Sequence, residues 1–348
     1  MARKTTKVAI LGAGSIGCFV GGALAARSLR SPETDLEVVF VGRARMKAVL
    51  DREGLKLSGF DGFSSQIAPS QFRYDTDPSA VRDCDWILVA VKSLQTSEAA
   101  RAVRSHLRPN ARVVSLQNGL RNAEILRAEL PGHEVYGGMV PFNVAETAPG
   151  TFHRGTSGDL LIERPQAVSG PSLLALESLT ALLTQAGVSA RLDSNLPAVL
   201  WGKLLLNLNN PINALSGLPL KAELSDRRYR RLLAGCIREA LIALRAARIK
   251  PTSPVPVPLW LLPGVLRLRN FLFTRVARRM IAIDPQARSS MADDLRLGRK
   301  TEIEQITGEV VALARKHGTS ATLNERVVRE IRNVEAGGVG SLDDLLGP

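Results

Sequence analysis

The sequence is poor in the residue types that build disulfide frameworks, metal sites and stacking surfaces. Its 348 residues include only 3 cysteines, 4 histidines and 4% aromatic residues. The cysteines, Cys18, Cys84 and Cys236, are odd in number and lack metal-ligand spacing, so they indicate reduced thiols of a cytoplasmic protein. The scattered histidines add no ligand cluster. We therefore expect a protein without a metal centre.

Long apolar runs are also lacking. No uninterrupted run approaches the roughly 18 residues that a membrane-spanning helix requires. The apolar stretch at 255–266 contains Pro256, Pro258 and Pro263. The N-terminal segment resembles a secretory signal, but glycines interrupt it and no cleavage site follows. We therefore expect no membrane span.

The charge is strongly biased, with a formal net charge of +13. Such an excess is compatible with binding to nucleic acid or to an anionic membrane surface. The densest basic runs, at 227–231 and 267–279, lack the interleaved aromatic residues of a single-strand binder. We therefore favour scattered surface arginines on a protein with small anionic ligands, and no nucleic-acid partner.

The order of predicted elements changes near residue 193. Before it, apolar strands alternate with helices: strands at 8–11, 37–41, 86–91 and 112–116, helices at 15–28, 96–106, 123–130 and 172–186. After it the pattern is helical, at 196–208, 227–248, 265–283 and 289–317. Alternation predicts a doubly wound, mostly parallel α/β sheet of Rossmann type. We therefore predict an N-terminal Rossmann domain over 1–193 and an all-α substrate and catalytic domain over 194–340.

The first strand runs into a glycine fingerprint, GAGSIG. Gly12, Gly14 and Gly17 fit the spacing G-x-G-x-x-G, with Ser15 and Ile16 between the last two. The first glycine permits a tight turn, the second a close approach to a pyrophosphate, and the third close packing of helix on strand. A lone fingerprint is a weak signal, but here it follows a strand and opens a helix. It predicts a dinucleotide site.

The second strand ends in VGRAR. An NAD-binding chain usually places an acidic residue here for the ribose hydroxyls. This chain has Gly42 and Arg43, with Arg45 close by. Because a guanidinium binds phosphate well, the substitution favours the 2′-phosphate of NADP. A solvated arginine remains the alternative.

Polar residues follow two further strands. Lys92 and Gln95 follow the strand at 86–91, and Asn118 with Gly119 follows the strand at 112–116. The carboxyl ends of parallel strands open onto the ligand crevice, so Lys92, Gln95 and Asn118 are candidates for cofactor contact, and Asn118 also for substrate. A surface lysine and a turn asparagine are the alternatives.

The helical half carries two polar segments. In WGKLLLNLNNP, Lys203, Asn207 and Asn210 are spaced to share one face of a single helix. Asparagine is a mediocre helix former, which favours a function for this face over a solvated stripe. In SSMADDLRLGRKTEIEQ, Ser290 and Asp294 are one turn apart, and Glu302 lies further on, beyond Gly298. A helix cap at Ser289 or Ser290 with exposed acids is the alternative.

Together these motifs resemble the ketopantoate reductase (2-dehydropantoate 2-reductase) family over nearly the whole chain. The resemblance rests on GAGSIG, VKSLQT, QNG, the W-x-K-x-x-x-N helix and the ARSSM…KTEI segment. It implies a 6-phosphogluconate-dehydrogenase-like fold and NADPH-dependent reduction of ketopantoate, a step towards coenzyme A. It further implies Lys203 as general acid and Glu302 as its partner. Asn118, Asn207, Asn210 and Ser290 would bind substrate.

The sequence departs from the family pattern where substrate would be recognised. Asn210-Pro211 lies one residue closer to Lys203, Ala287 replaces an asparagine, and the stretch at 251–283 is longer. A different 2-keto acid therefore remains open. So does a non-catalytic NADP(H)-binding sensor, because a fold does not determine an activity. The oligomeric state also stays open, with a homodimer as one option.

Overall fold

The computed structural model describes residues 5–30, 36–167, 169–253, 257–276 and 286–346. The chain divides into two compact units, residues 1–196 and residues 197–348. The strands are β1 (Thr6–Leu11), β2 (Leu36–Val41), β3 (Leu55–Gly59), β4 (Ser64–Ile67), β5 (Arg73–Asp75), β6 (Trp86–Val89), β7 (Arg112–Ser115), β8 (Glu134–Tyr136), β9 (Gly138–Met139), β10 (Val144–Ala148), β11 (Thr151–Arg154), β12 (Leu160–Glu163) and β13 (Ala190–Asp193).

Both units contain α-helices. They are α1 (Ser15–Arg30), α2 (Ala44–Glu53), α3 (Thr96–Arg104), α4 (Asn122–Glu129), α5 (Gly170–Gln185), α6 (Leu196–Asn207), α7 (Asn209–Ser216), α8 (Leu220–Ser225), α9 (Arg227–Ala246), α10 (Leu262–Leu266), α11 (Asn270–Val276), α12 (Ser290–Arg296), α13 (Glu309–Lys316), α14 (Thr322–Glu335) and α15 (Asp343–Leu346).

The first unit is organised around a six-stranded sheet in the order β5-β2-β1-β6-β7-β8. Every neighbouring pair in this sheet is parallel. The chain leaves β1 towards β2 on one side and later returns to place β6 on the other. The carboxyl ends of β1 and β6 therefore flank the point where strand order reverses, which is where open α/β sheets bind ligands.

Both faces of this sheet are buried. Val8 and Ile10 of β1 belong to one apolar cluster, and the alternating Ala9 and Leu11 belong to a second. Because successive side chains of a strand point to opposite faces, a run without polar alternation indicates helices on both sides. The fold class predicted from the sequence is confirmed for this unit.

Two smaller sheets complete the first unit. One has the order β10-β11-β3-β4 and the other the order β13-β12-β9, and both mix parallel and antiparallel pairs. The strands β10, β11 and β12 lie within residues 140–165. The strands β3 and β4 and the helix α2 were not predicted.

The described part of the second unit is helical. Its longest helix, α9, buries one face that contains Leu233, Ile237 and Ala240. Arg230 on the same helix is wholly buried, with its guanidinium donating to the backbone carbonyl groups of Leu266 and Leu268 at 3.1 and 2.9 Å. This arginine therefore fixes the segment that holds α10 and α11 against α9. The predicted all-α character is confirmed.

Two predicted helices are wrong in their extent. Instead of one helix over 265–283 the structure has two, α10 and α11, separated at residues 267–269. The guanidinium of Arg230 donates to carbonyl groups of this connection, which therefore do not continue a regular helix. The last seven residues of the predicted helix, and residues 254–256 of the stretch 251–283, lie outside the described residues. The prediction over 289–317 is interrupted after Arg296, where Gly298 adopts a positive φ of 61°.

Three buried cysteines complete the core. Cys18 and Cys84 lie in the first unit and Cys236 in the second, and none forms a disulfide. Burial raises the pKa of all three thiols. Among the described residues, no helix combines the length and the apolar character needed to traverse a bilayer.

Candidate functional site

The glycine fingerprint forms a turn, and close packing within the protein requires glycine at two of its positions. Gly12 adopts φ +106°, and a Cβ there would lie 2.5 Å from the backbone nitrogen of Val91. A Cβ on Gly17 would lie 2.1 Å from the carbonyl oxygen of Gly12. These glycines therefore allow β1, the turn and α1 to pack closely, as the sequence predicted.

Gly14 is different, because a Cβ there would meet no atom of the described protein within 4 Å. Packing does not explain why a glycine stands at this position. The space beside Gly14 lies at the start of α1, where Ser15 and Ile16 begin the helix and backbone N–H groups favour an anion. The residues present therefore fit a pyrophosphate group.

The end of β2 offers a second anion-binding feature. Arg43 precedes α2 with an extended backbone, and the first turn of that helix contains no acidic residue. The side chains of Arg43 and Arg45 are exposed. Tyr74 donates a hydrogen bond to the carbonyl oxygen of Arg43 at 3.1 Å, which fixes the turn. Two exposed guanidinium groups beside a helix start without a side-chain cap suit a phosphate.

The loops after β6 and β7 are tied together by buried polar side chains. The hydroxyl of Ser93 donates to the carbonyl oxygen of Asn118 at 2.6 Å. Asn122 donates to the Ser93 hydroxyl at 3.2 Å and also to the carbonyl oxygen of Asn118. These contacts hold Asn118, which is half-buried, and the exposed Lys92 next to Ser93 on adjoining loops.

Further residues complete this network. Gln117 donates to the carbonyl oxygen of Val91 at 3.0 Å and to the hydroxyl of Thr96 at 2.6 Å. Thr96 in turn donates to Asn122 at 2.9 Å. The motifs predicted Lys92, Gln95 and Asn118 but not these buried partners, of which Ser93, Thr96 and Gln117 lie within the same VKSLQT and QNG segments.

In the second unit, the three polar residues of WGKLLLNLNNP do not share one helix. Lys203 and Asn207 lie one turn apart on α6, as predicted, and both are half-buried. Helix α6 ends at Asn207, and Asn210 lies on α7. The prediction that Asn210 continues the same helical face is therefore wrong. Pro211 lacks an amide hydrogen, which favours a new helix start just before it.

The surroundings of Lys203 change the pKa of its ammonium group. Burial lowers the pKa of Lys203 to about 8, and the nearby carboxylate of Glu302 acts in the opposite direction. Glu302 is only 7% exposed. The structure thus brings together a lysine and a glutamate that are far apart in sequence. A lysine with this pKa can both donate and accept a proton near neutrality.

The turn that carries Glu302 is held by α14. The backbone N–H and the hydroxyl of Thr301 both donate to Glu335 at 2.7 Å. A π-helical turn, Glu304–Gly308, begins two residues after Glu302. Such turns are rare and frequently lie at functional sites. Thr301 and Glu335 were missed because their role depends on a contact between distant segments.

Ser290 lies at the start of α12, with an exposed side chain. The helix cap is Ser289, whose hydroxyl accepts from the Ala292 N–H at 3.2 Å and donates to the carbonyl oxygen of Asn210 at 3.1 Å. The structure therefore brings Asn210 and the Ser289–Ser290 turn together and leaves the Ser290 hydroxyl uncommitted to capping. Asp294 is buried one turn further on.

Taken together, these features define a Rossmann-fold oxidoreductase: a parallel sheet with a glycine turn at its switch point, and a helical unit with a lysine and a glutamate in electrostatic contact. Within the described ranges, no group of three or more His, Cys, Asp or Glu side chains forms a metal site.

Comparison with known proteins identifies the family. The profile described as "Ketopantoate reductase PanE/ApbA" matches residues 8–166, and that described as "Ketopantoate reductase PanE/ApbA C terminal" matches residues 195–335. The chain belongs to the ketopantoate reductase family.

Relatives and solved structures agree with this assignment. The 2-dehydropantoate 2-reductase of Halobacterium salinarum is 29% identical over 313 residues, which cover 89% of this chain and 93% of the relative. The crystal structure of a PanE/ApbA family ketopantoate reductase from Ralstonia eutropha JMP134 has a TM-score of 0.78 at 29% identity, covering 95% of this chain and 99% of that chain. A D-mandelate dehydrogenase structure with NADH and anilino(oxo)acetate has a TM-score of 0.75 at 18% identity, with coverage of 95% and 99%, which supports the fold alone.

Proposed function

We propose that this protein reduces ketopantoate to pantoate with NADPH and that Lys203 is the general acid. The observation that carries the proposal is the pair of Lys203 and Glu302, in which burial lowers the pKa of the lysine to about 8. The family supports the substrate, because the relatives are 2-dehydropantoate 2-reductases.

The first unit contains residues that fit the cofactor. Gly12, Gly14 and Gly17, with Ser15 and Ile16, would hold the pyrophosphate at the start of α1. The open space beside Gly14 is the main support for this assignment. Arg43 would bind the 2′-phosphate that distinguishes NADPH from NADH. Lys92, Gln95 and Asn118 would contact the cofactor from the loops after β6 and β7.

NADPH, when bound, supplies the hydride for the keto carbon. Negative charge then develops on the ketone oxygen, and the Lys203 ammonium group stabilises that charge and delivers the proton. The carboxylate of Glu302 keeps the lysine charged in its partly desolvated position, which opposes the effect of burial. A lysine without this partner would lose its proton too readily to act as an acid at neutral pH.

Polar side chains would bind the substrate. Asn118, Asn207 and Asn210 would donate or accept hydrogen bonds with its oxygen atoms, and the hydroxyl of Ser290 would donate to its carboxylate. The position of Ser290 at the start of α12 supports this role, because Ser289 already serves as the helix cap.

The first experiment follows NADPH oxidation with ketopantoate and a panel of other 2-keto acids, with NADH in parallel. The proposal predicts turnover of ketopantoate with a preference for NADPH. Turnover of another 2-keto acid alone would keep the mechanism and change the substrate. Ala287 and the altered position of Asn210 on α7 favour that second candidate. NADPH binding without turnover would replace the proposal by a cofactor-binding sensor.

Replacing the general acid tests the role of the lysine. We expect Lys203→Ala to bind NADPH with unchanged affinity and to lose about 10²–10⁴-fold in turnover, the range for general acid–base catalysis. Fluorescence titration of NADPH and steady-state rates provide the two measurements. A loss of less than tenfold in a folded variant would contradict the general-acid role.

A further inference from the structure

A buried acidic residue lies in the second unit, apart from the Lys203–Glu302 pair. Glu223 on α8 has no exposed surface. Its Oε2 atom accepts hydrogen bonds from the Nδ2 atoms of Asn209 at 3.1 Å and Asn213 at 3.3 Å. Both asparagines lie on α7, so Glu223 joins α8 to the helix that carries Asn210.

The same network reaches the turn that begins α12. Asn213 accepts a hydrogen bond from the backbone N–H of Ser289 at 2.9 Å. Ser289 also donates its hydroxyl proton to the carbonyl oxygen of Asn210 at 3.1 Å. A continuous path of hydrogen bonds thus runs from Glu223 through Asn213 to the residue that precedes Ser290.

Two buried oxygen atoms of this network require a hydrogen-bond donor. Among the described residues, Oε1 of Glu223 and Oδ1 of Asn209 are buried and have no hydrogen-bond partner. Both are acceptors, and an ionised carboxylate offers only acceptors. A buried acceptor left without a donor is costly. A proton on Oε1 would provide the missing donor, and Asn209, which already binds the other oxygen, carries the matching acceptor.

We propose that Glu223 is a positioning residue that holds the Ser289–Ser290 turn through Asn213, and that it does so as a neutral acid paired with Asn209. This inference deepens the proposed function, since Ser290 is the group assigned there to the substrate carboxylate. Glu223 acts through other residues and does not contact the reacting atoms.

The titration of Glu223 agrees with this geometry. Burial raises the pKa of Glu223 to about 7, against the effect of the asparagine hydrogen bonds. Charged side chains on α8 and on the segments packed against it have other contacts or lie at the surface: Lys221, Asp226, Arg227, Arg228, Arg230, Arg288, Asp293 and Asp294. Ionisation above neutrality removes the donor on Oε1 and leaves a buried charge between α7 and α8, which destabilises their packing even though the two asparagine amides still donate to Oε2.

The protonation state is tested without any need for turnover. An infrared difference spectrum of the wild type against Glu223→Gln at pH 6 is expected to show the carbonyl band of a neutral carboxylic acid. Glu239→Gln is the matched control, because the Glu239 carboxyl group accepts from the N–H groups of Leu323 and Asn324, so this substitution makes the same carboxyl-to-amide change outside the Glu223 network. A spectrum that shows only carboxylate bands for Glu223 would overturn the neutral acid.

The positioning role is tested by hydrogen exchange and kinetics. Glutamine reproduces the acceptors and the donor of the neutral acid, so Glu223→Gln should keep slow amide exchange at residues 289–292 and a KM for ketopantoate within about twofold of wild type. Glu223→Ala should accelerate that exchange and raise KM about ten- to a hundredfold, with kcat nearly unchanged. Wild-type KM should rise above pH 7, and Glu223→Gln should abolish that rise.

Each outcome decides one proposal. A folded Glu223→Ala with slow exchange and normal KM would overturn the positioning role. If Glu223→Ala does not fold, the pH dependence of KM in Glu223→Gln decides, since an unchanged rise above pH 7 would assign it to another group. A protein that shows the acid band and the exchange pattern but reduces no 2-keto acid would overturn the proposed function alone.

Discussion

Lys203 shows how burial can adjust a side chain for proton transfer. An exposed lysine with a pKa of about 10.4 holds its proton too tightly to be an efficient acid at neutral pH. Here burial lowers the pKa to about 8, and Glu302 keeps it from falling further. The side chain is therefore charged at neutral pH and still able to release its proton.

The pKa of Lys203 predicts opposite pH dependences for the rates of reduction and oxidation. Reduction needs the ammonium form, so in the Glu223→Gln background, which lacks the titration near pH 7, kcat/KM should be constant below about pH 8 and fall about tenfold per pH unit above it. Oxidation of pantoate needs the neutral amine, so it should rise over the same interval. Initial rates in both directions from pH 6 to 10 measure this. In Lys203→Arg any remaining reductase activity should show no decline near pH 8, and a persisting decline would assign the titration elsewhere.

Arg43 gives a second prediction at this scale. If its guanidinium binds the 2′-phosphate, Arg43→Ala should weaken NADPH binding about ten- to a hundredfold and leave NADH binding nearly unchanged, because a charged hydrogen bond contributes about 1.5–3 kcal/mol. Calorimetric titration with each cofactor measures both. Arg52→Ala is the control, since Arg52 lies on the same helix and pairs with Glu53. Equal losses for both cofactors would contradict a role at the phosphate.

At the scale of elements, the glycines of the turn between β1 and α1 differ in their surroundings. Gly17→Ala places a Cβ against the carbonyl oxygen of Gly12, so we expect a loss of about 1–3 kcal/mol in unfolding free energy. In Gly14→Ala the new Cβ meets no atom of the described residues within 4 Å, so the stability of the variant should equal that of the wild type while its cofactor affinity falls. Denaturant unfolding and NADPH titration of the two variants measure these effects. Normal NADPH affinity in Gly14→Ala would argue against pyrophosphate binding at this turn.

The elements that the sequence predicted are those with local signals. The strand at 8–11 and the helix at 15–28 correspond to β1 and α1, because an apolar run, a glycine turn and an alanine-rich segment each act on their own neighbours. The predicted helix over 289–317 is wrong in its extent because α12 ends at Arg296 and Gly298 adopts a positive φ, which interrupts the helix. The periodicity of apolar residues does not reveal a single residue with a positive φ.

In the candidate site, too, the sequence predicted the residues that belong to local motifs. Lys203 and Glu302 were recognised by their motifs, but their electrostatic contact depends on how separate helices pack. The supporting residues Asn213, Glu223 and Glu335 had no signal, because a buried glutamate and an exposed one look alike in a sequence. Their roles follow only from burial and hydrogen-bond partners.

At the scale of the whole molecule, the residues proposed for cofactor binding and for proton transfer lie in different compact units. The residues proposed to bind the cofactor lie within 1–196, and the proposed general acid lies within 197–348. The first unit has apolar clusters on both faces of its sheet, composed of its own residues. A core of this kind does not require residues from the second unit.

This separation predicts that residues 1–196 expressed alone will fold and bind NADPH. Its affinity should lie within about tenfold of the full chain, since a single lost hydrogen bond accounts for about that factor. Circular dichroism establishes folding, and fluorescence titration gives the affinity. A folded fragment with an affinity more than a hundredfold weaker would show that the second unit contributes substantially to cofactor binding.

The three buried cysteines have a practical consequence for following the motions of the native protein. A thiol reagent reacts with the thiolate, and burial both raises the thiol pKa and excludes the reagent. Labelling therefore requires a local opening of the chain around each sulfur. Cys18 and Cys84 report openings of the first unit and Cys236 those of the second. The wild-type protein thus contains its own set of probes for measuring, unit by unit, how a ligand restrains native-state fluctuations.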